Sequence, residues 1–218
     1  GGKGANLSQM GRMGLPVPPG FTISTKVCEI FYKDKKKLNS KLISQIKKEI
    51  KTIEKDVSKK FGDLKNPLLL SVRSGARVSM PGMMDTILNL GLNDKTVVAL
   101  ANKTSNGRFA KDSYRRFIQM YGNVVMGVES YNFEELIENY KLTKGVLLDT
   151  DLNEEDWDGL IKDFKNVVKE KTNKDFPQDV YHQLFGAINA VFLSWESKRA
   201  KVYRKFFSLP ISLRSRRR

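Results

Sequence analysis

The stretch SVRSGARVSMPGMMDTILNLG, residues 71–91, places cations and flexible backbone directly after an apolar run. Residues 68–72 are short and apolar enough to predict a buried strand. Arg73 then stands at the end of a buried strand, where its charge needs an anion. The residues alone leave two partners open. One is a carboxylate such as Asp85, and the other is a phosphate group whose oxygens the guanidinium holds at two points.

The loop at residues 79–86 also has two interpretations. Gly82 follows Pro81, which is typical of a turn whose glycine needs a positive φ and whose next amides are exposed. Such amides can close over a polyphosphate. Composition alone favours the simpler interpretation, in which the methionines are adaptable packing and Asp85 or Thr86 caps a helix beginning at Ile87.

Composition excludes several classes of protein. The chain has 218 residues, of which 40% are hydrophobic, and this is typical of a globular protein with a sizeable core. No apolar run approaches the roughly 20 residues that span a bilayer, and the first residues lack an apolar signal core. Cys28 is the only cysteine, which excludes an internal disulfide and a cysteine metal cluster. We therefore expect a cytoplasmic protein without a membrane partner.

The net charge of +15 suggests a polyanion as partner, but its distribution does not favour nucleic acid. Four arginines fall within residues 214–218, and many lysines lie on the solvent faces of predicted helices. The aromatic residues fall at core spacing instead of forming a stacking surface. We expect no nucleic-acid binding, whereas attraction to anionic nucleotides stays open.

Three further groups were weighed as reactive or ligand-binding sites. The opening Gly1-Gly2-Lys3-Gly4 offers amides and an ammonium to a phosphate before a predicted helix at residues 5–13, although an ordinary surface turn is the more frequent meaning. The sole histidine, His182, lies inside a predicted helix and fits a surface position. The acidic residues within 149–158 precede a helix and fit its cap and dipole better than a metal.

The hydrophobic pattern predicts an α+β protein. Residues 1–103 mix helices with strands and form a predicted nucleotide-binding lobe, with a strand at 21–25 and a long helix capped by Ser40. Residues 104–205 are predicted to form a mainly helical subdomain, and 206–218 a disordered basic tail. The predicted buried faces of the helices include Ile46, Ile50, Ile53, Tyr114, Phe117, Ile118, Tyr121, Trp157, Leu160, Phe164, Leu184, Ile188 and Phe192.

Several segments resemble the N-terminal nucleotide-binding domain of the pyruvate, phosphate dikinase family. They include GGKGANLSQM, PLLLSVRSGARVSMPGMMDTILNLGLND, DSYRRFIQMYGNVVMGV and RAKVYRK, and the resemblance runs from residue 1 to about residue 205. It implies an ATP-grasp-type domain that clamps Mg-ATP. By position, Lys3 and Arg73 would hold the ATP phosphates, with Arg73 acting in catalysis, and Gly82 and Met84 would lie in a loop that covers the polyphosphate.

The family enzymes interconvert ATP, phosphate and pyruvate with AMP, pyrophosphate and phosphoenolpyruvate. The resemblance implies further parts that this sequence does not contain: a second ATP-grasp lobe with the magnesium ligands, a phosphohistidine domain and a pyruvate-binding domain of a homodimeric enzyme. We therefore expect a piece of a larger enzyme that is inactive alone. The alternatives are a catalytically inactive truncated remnant and, less favoured, a basic nucleic-acid-binding protein.

Overall fold

The computed structural model describes residues 2–75 and 85–208, and the described part is an α+β protein, as predicted. Its residues divide into two compact units. One is formed by the described residues within 1–58, 73–86 and 188–218, and the other by residues 59–72 and 87–187. The sequence-based borders at residues 103 and 205 stay predictions. Residues 209–218, most of the predicted disordered tail, lie outside the described residues.

The elements follow one another along the chain in this way. The helices are α1 (Gly2–Arg12), α2 (Thr25–Lys33), α3 (Ser40–Val57), α4 (Thr96–Thr104), α5 (Gly107–Val124), α6 (Ser130–Lys144), α7 (Glu154–Thr172), α8 (Val180–Ser194) and α9 (Lys198–Phe206). The strands are β1 (Lys60–Phe61), β2 (Pro67–Leu68), β3 (Leu70–Arg73) and β4 (Thr86–Leu90). None of the described helices combines the length and the hydropathy that crossing a membrane requires.

Helix α3 confirms the predicted apolar stripe, because Ile46, Ile50 and Ile53 are buried along it. Its N-cap is Asn39 and not the predicted Ser40. The Asn39 side chain accepts a hydrogen bond from the Leu42 amide at 2.9 Å, which satisfies one of the free N–H groups of the first turn.

The strand predicted at residues 21–25 is not formed, so that prediction is wrong: residues 21–24 are irregular, and only Thr25 belongs to a regular element, helix α2. Residues 21–24 pair with no strand among the described residues, and the helix begins at Thr25. Cys28 and Phe31, three residues apart, form the buried face of α2, and the Phe31 ring lies 5.1 Å from that of Phe192. Alternation of apolar and polar residues indicated a strand, but a strand also needs a partner for its backbone groups, and residues 21–24 find none among the described residues.

The strands differ from the prediction in two respects. The expected buried strand at 68–72 is divided at Leu69 into β2, which pairs in parallel with β1, and β3, which pairs with β4. Along β3 half-buried and exposed residues alternate. The helix expected from Ile87 is instead strand β4, in which Ile87 and Leu90 are fully buried. In β4 the backbone N–H and C=O groups are paired with β3, so they do not need the internal hydrogen bonds of a helix.

The second unit is built mainly from helices around α5. The predicted face of α5 is confirmed, because Tyr114, Phe117, Ile118 and Tyr121 are all buried. The Phe133 and Phe164 rings, from α6 and α7, lie 4.9 Å apart. A Cβ atom on Gly122 would come within 2.8 Å of the Phe133 ring, so this glycine permits the close approach of α5 and α6.

Gln183 is a buried polar residue that the hydrophobic pattern did not indicate. Helix α8 begins at Val180, later than the predicted start at Pro177, and Gln183 lies in its first turn with no exposed surface. Its amide oxygen accepts from the Gly91 N–H at 3.0 Å, and its amide nitrogen donates to the carbonyls of Leu92 at 2.9 Å and Pro177 at 2.8 Å. One side chain thus satisfies three backbone groups.

We predict that Gln183→Leu lowers the free energy of unfolding by about 2–4 kcal/mol, because it leaves buried backbone groups without partners. Urea unfolding followed by circular dichroism measures this change. The matched control is Gln45→Leu on the exposed face of α3, which should change the free energy of unfolding by less than about 0.5 kcal/mol. Equal effects of the two substitutions would contradict the role of Gln183.

The start of α7 carries a capping box, as the acidic residues before this helix predicted. The Asn153 side chain accepts from the Asp156 N–H at 3.0 Å, and the Asp156 carboxylate accepts from the Asn153 N–H at 3.0 Å. The Lys144 ammonium lies 2.7 Å from the same carboxylate. Lys144, followed by the Asn153 N–H, holds the pKa of Asp156 below its usual value.

Because the pKa of Asp156 is lower in the folded protein than in the unfolded chain, its stabilising effect is present above the unfolded value of 3.8 and is lost as the pH falls through the folded pKa. We predict that Asp156→Asn lowers the free energy of unfolding by about 0.5–1 kcal/mol at pH 7, and that the difference from the wild type shrinks between pH 5 and pH 3. Urea unfolding at a series of pH values measures this. A difference independent of pH would contradict the assignment.

Candidate functional site

The candidate site lies in the first unit, where the start of α1 meets the end of β3. Helix α1 begins at Gly2, so Lys3 and Gly4 belong to its first turn and the predicted start at Ala5 is corrected. A Cβ atom on Gly4 would lie 2.8 Å from the Thr22 hydroxyl oxygen. Gly4 therefore allows the first turn of α1 to approach residue 22 closely. Close packing thus explains why one residue of the opening Gly1-Gly2-Lys3-Gly4 segment is a glycine.

Lys3 reaches from α1 to the residue that follows Arg73. Its ammonium donates a hydrogen bond to the Ser74 carbonyl oxygen at 3.1 Å, across 71 positions of sequence. Lys3 is itself exposed, while Ser74 is buried. An ammonium has three donors, and this contact uses one of them. The sequence did not indicate Ser74, because every residue has a backbone carbonyl and the residue type does not reveal which of them accepts a hydrogen bond.

Arg73 is exposed at the end of β3. The premise that it ends a buried strand is wrong, since β3 is only half-buried and its last residue faces solvent. Among the residues that the structure describes, the Arg73 side chain has no hydrogen-bond or ion-pair partner. Within this part of the chain the guanidinium therefore uses none of its five N–H donors, which can serve a ligand or water.

Arg73 does not form the ion pair with Asp85 that the sequence left open. Asp85 forms an ion pair with Arg199 of α9, and its backbone carbonyl accepts a hydrogen bond from the Ser74 N–H at 3.3 Å. Arg199 lies 114 residues from Asp85 in the chain, and no local pattern indicated the pair. Gly82 and Met84, the other predicted site residues, lie outside the described residues.

Lys3 and Arg73 are thus brought to neighbouring positions from opposite ends of a segment of about 70 residues. Lys3 contacts the backbone of residue 74, and Arg73 is the preceding residue. Two cations that are next to each other on a surface can hold the oxygens of a polyphosphate, with the ammonium acting as a point charge and the guanidinium as a fork. Both act by charge and position and not as nucleophiles.

The other groups considered for chemistry have structural roles. In the acidic cluster, Asp149 lies 3.7 Å from Arg115 and 3.5 Å from Lys141, while Asp158 pairs with Lys111. Within residues 2–75 and 85–208, no three His, Cys, Asp or Glu side chains are grouped to hold a metal.

His182 and Cys28 are also accounted for by the fold. His182 is exposed, and its backbone N–H donates to the Asp179 carboxylate at 2.6 Å in the first turn of α8. Burial, with smaller effects of Glu29 and Glu196, raises the pKa of the Cys28 thiol to about 12. Cys28 is therefore protonated at neutral pH and is not an activated nucleophile.

Comparison with known proteins gives a family match over almost the whole chain. The family described as "Pyruvate phosphate dikinase, AMP/ATP-binding domain" matches residues 1–47 and 35–211. Pyruvate, phosphate dikinase of Clostridium symbiosum is 53% identical over 211 residues, which cover 96% of this chain and 24% of that protein. The chloroplastic enzyme of Flaveria pringlei is 54% identical over 204 residues, covering 94% and 21%.

The enzyme of Rhizobium meliloti is 51% identical over 210 residues, covering 96% of this chain and 23% of the relative. The chain thus spans between a fifth and a quarter of the length of these relatives, at 21–24%. The family match extends through both units and includes residues 3 and 73. This chain belongs to the family of pyruvate phosphate dikinase AMP/ATP-binding domains.

Proposed function

We propose that this chain binds ATP as part of a pyruvate, phosphate dikinase. The complete enzyme would interconvert ATP, phosphate and pyruvate with AMP, pyrophosphate and phosphoenolpyruvate. The observation that carries the proposal is the contact of Lys3 with the Ser74 carbonyl, because it brings an ammonium to the residue that directly follows the exposed Arg73. The family match to an AMP/ATP-binding domain supports a nucleotide as the anion.

Lys3 and Arg73 would neutralise the phosphate oxygens of the bound nucleotide. In phosphoryl transfer the protein acts mainly by positioning the phosphates and by stabilising their charge, and a cation placed in this way favours the transition state. Arg73, with five donors, suits the transferred group, where charge redistributes during the reaction. Lys3 uses one donor on Ser74, so two of its three donors would be left for phosphate oxygens.

The nucleotide would bind as Mg-ATP in an ATP-grasp-type clamp, with Gly82 and Met84 in the loop that covers it. Carboxylate ligands for magnesium would come from the part of the longer enzymes that this chain does not cover, as would the phosphohistidine and pyruvate-binding domains of a homodimer. A cytoplasmic location stays a prediction, since the relatives include chloroplastic enzymes such as that of Flaveria pringlei. The positive charge of the chain gives no comparable argument for nucleic acid.

We predict that Lys3→Ala and Arg73→Ala each weaken Mg-ATP binding by about ten- to a hundredfold, because each removes a charge-assisted hydrogen bond worth roughly 1.5–3 kcal/mol. Isothermal titration of the 218-residue chain measures the affinity. Adenosine, which lacks phosphates, should bind the wild type and both variants with the same affinity.

Matched controls are Lys41→Ala and Arg116→Ala, which remove exposed cations on α3 and α5. They should leave the ATP affinity within about twofold, because neither cation belongs to the candidate site and a single exposed charge contributes little at ordinary ionic strength. A wild-type chain that does not bind Mg-ATP would contradict the proposal and favour an inactive remnant. Equal losses of ATP affinity in the two control variants would show that the effect depends on net charge and not on the positions of Lys3 and Arg73.

A further inference from the structure

Asp85 is held from a second element of the first unit. The Arg199 guanidinium of α9 forms an ion pair with the Asp85 carboxylate, whose side chain is only 20% exposed, whereas that of Arg199 is 52% exposed. Pairs on a fully exposed surface contribute little to stability. Because Asp85 is partly buried, leaving its carboxylate unpaired would cost more free energy than leaving an exposed carboxylate unpaired.

The Asp85 backbone continues the connection to the candidate site. Its carbonyl oxygen accepts from the Ser74 N–H at 3.3 Å, and the Ser74 carbonyl accepts from the Lys3 ammonium at 3.1 Å. The two polar groups of the Ser74 backbone therefore join Asp85 to Lys3, and Arg73 is covalently next to them. A shift of Asp85 would move the acceptor of Lys3 and the end of β3 together.

Helix α9, which carries Arg199, is held by contacts at its start and with Trp195 in the turn that precedes it. The Ser197 hydroxyl accepts from the Ala200 N–H at 3.2 Å and caps the helix. One turn further on, the buried Arg204 donates to the Trp195 carbonyl at 2.5 Å, and its guanidinium lies 4.2 Å from the centre of the Trp195 ring. A side chain on an anchored helix can hold a site more precisely in place than one on a free loop.

We propose that Arg199 is a positioning residue for nucleotide binding: through Asp85 it fixes the Ser74 backbone on which Lys3 is oriented beside Arg73. This inference rests on the proposed function. Arg199 needs no contact with the nucleotide in this role. It acts through the ion pair, so Asp85 and Arg199 should behave as one unit when either is changed.

Two readouts on the full 218-residue chain test the proposal. The first is hydrogen exchange of the Ser74 amide, followed by NMR without nucleotide. Arg199→Ala and Asp85→Asn should each accelerate it by about three- to fivefold, the amount expected from the loss of a partly exposed ion pair. Arg199→Lys keeps a cation at this position and should restore most of the protection.

The second readout is Mg-ATP affinity by titration calorimetry, which should fall by about three- to tenfold in both Arg199→Ala and Asp85→Asn. Asp85→Asn separates positioning from simple electrostatics, because removing a negative charge near bound phosphates would by itself strengthen ATP binding. Lys201→Ala is the matched control, since it removes a cation of α9 that pairs with Glu196 at 3.0 Å, and it should leave both readouts unchanged.

Each outcome decides one claim. Unchanged Ser74 exchange in Arg199→Ala and Asp85→Asn would overturn the positioning role, whether or not the chain binds ATP. Equal or tighter ATP binding by Asp85→Asn would also overturn it and would leave only a charge effect of Arg199. A wild-type chain with no affinity for Mg-ATP would contradict the proposed function. It would also contradict the positioning role of Arg199 in nucleotide binding, which depends on that function.

Discussion

The hydrogen bond from the Lys3 ammonium to the Ser74 carbonyl is the contact on which the candidate site depends. Helix α1 buries none of its described residues, and its apolar side chains, such as Leu7, Met10 and Met13 just beyond its end, are exposed. The first turn of α1 is therefore placed by specific contacts more than by hydrophobic burial. Lys3 on Ser74 and Gly4 beside Thr22 are two of these contacts. Ordering a lysine side chain costs up to about 2 kcal/mol of entropy, so a contact that keeps it extended also prepares it for a ligand.

The contact between Lys3 and Ser74 also bears on the interpretation of Arg73. An exposed arginine at the end of a half-buried strand would by itself be an ordinary surface residue. Because the Lys3 ammonium contacts the carbonyl of the next residue, Arg73 is one of two cationic residues at the candidate site, and positive charges close together favour an anion. Family membership indicates which anion to test, since the match is to an AMP/ATP-binding domain.

The sequence was most informative where periodicity and burial agree. Ile46, Ile50 and Ile53 of α3 and Tyr114, Phe117 and Tyr121 of α5 were identified from spacing alone, because a buried helical face repeats every three to four residues. Short segments were the difficult ones. Residues 21–24 alternate like a strand but find no strand partner in the described part of the chain, and β4 was taken for a capped helix because its partner β3 is not visible in local sequence.

The candidate site could be predicted only in part, for a similar reason. Lys3 and Arg73 came from the family resemblance, since their residue types alone left a surface turn and an ion pair open. The pairing of Asp85 with Arg199 joins positions 114 residues apart, and the Ser74 carbonyl is a backbone group with no signature in the sequence. Contacts of this kind follow from tertiary structure and not from any local rule.

A crystal structure of the chain with magnesium and a non-hydrolysable ATP analogue would show directly whether Lys3 and Arg73 hold the nucleotide. We predict that the Lys3 ammonium lies within about 3.2 Å of both the Ser74 carbonyl oxygen and a phosphate oxygen, with the Arg73 guanidinium on the same polyphosphate. A nucleotide bound elsewhere, or bound here with Lys3 turned away from Ser74 and Arg73 in solvent, would contradict it.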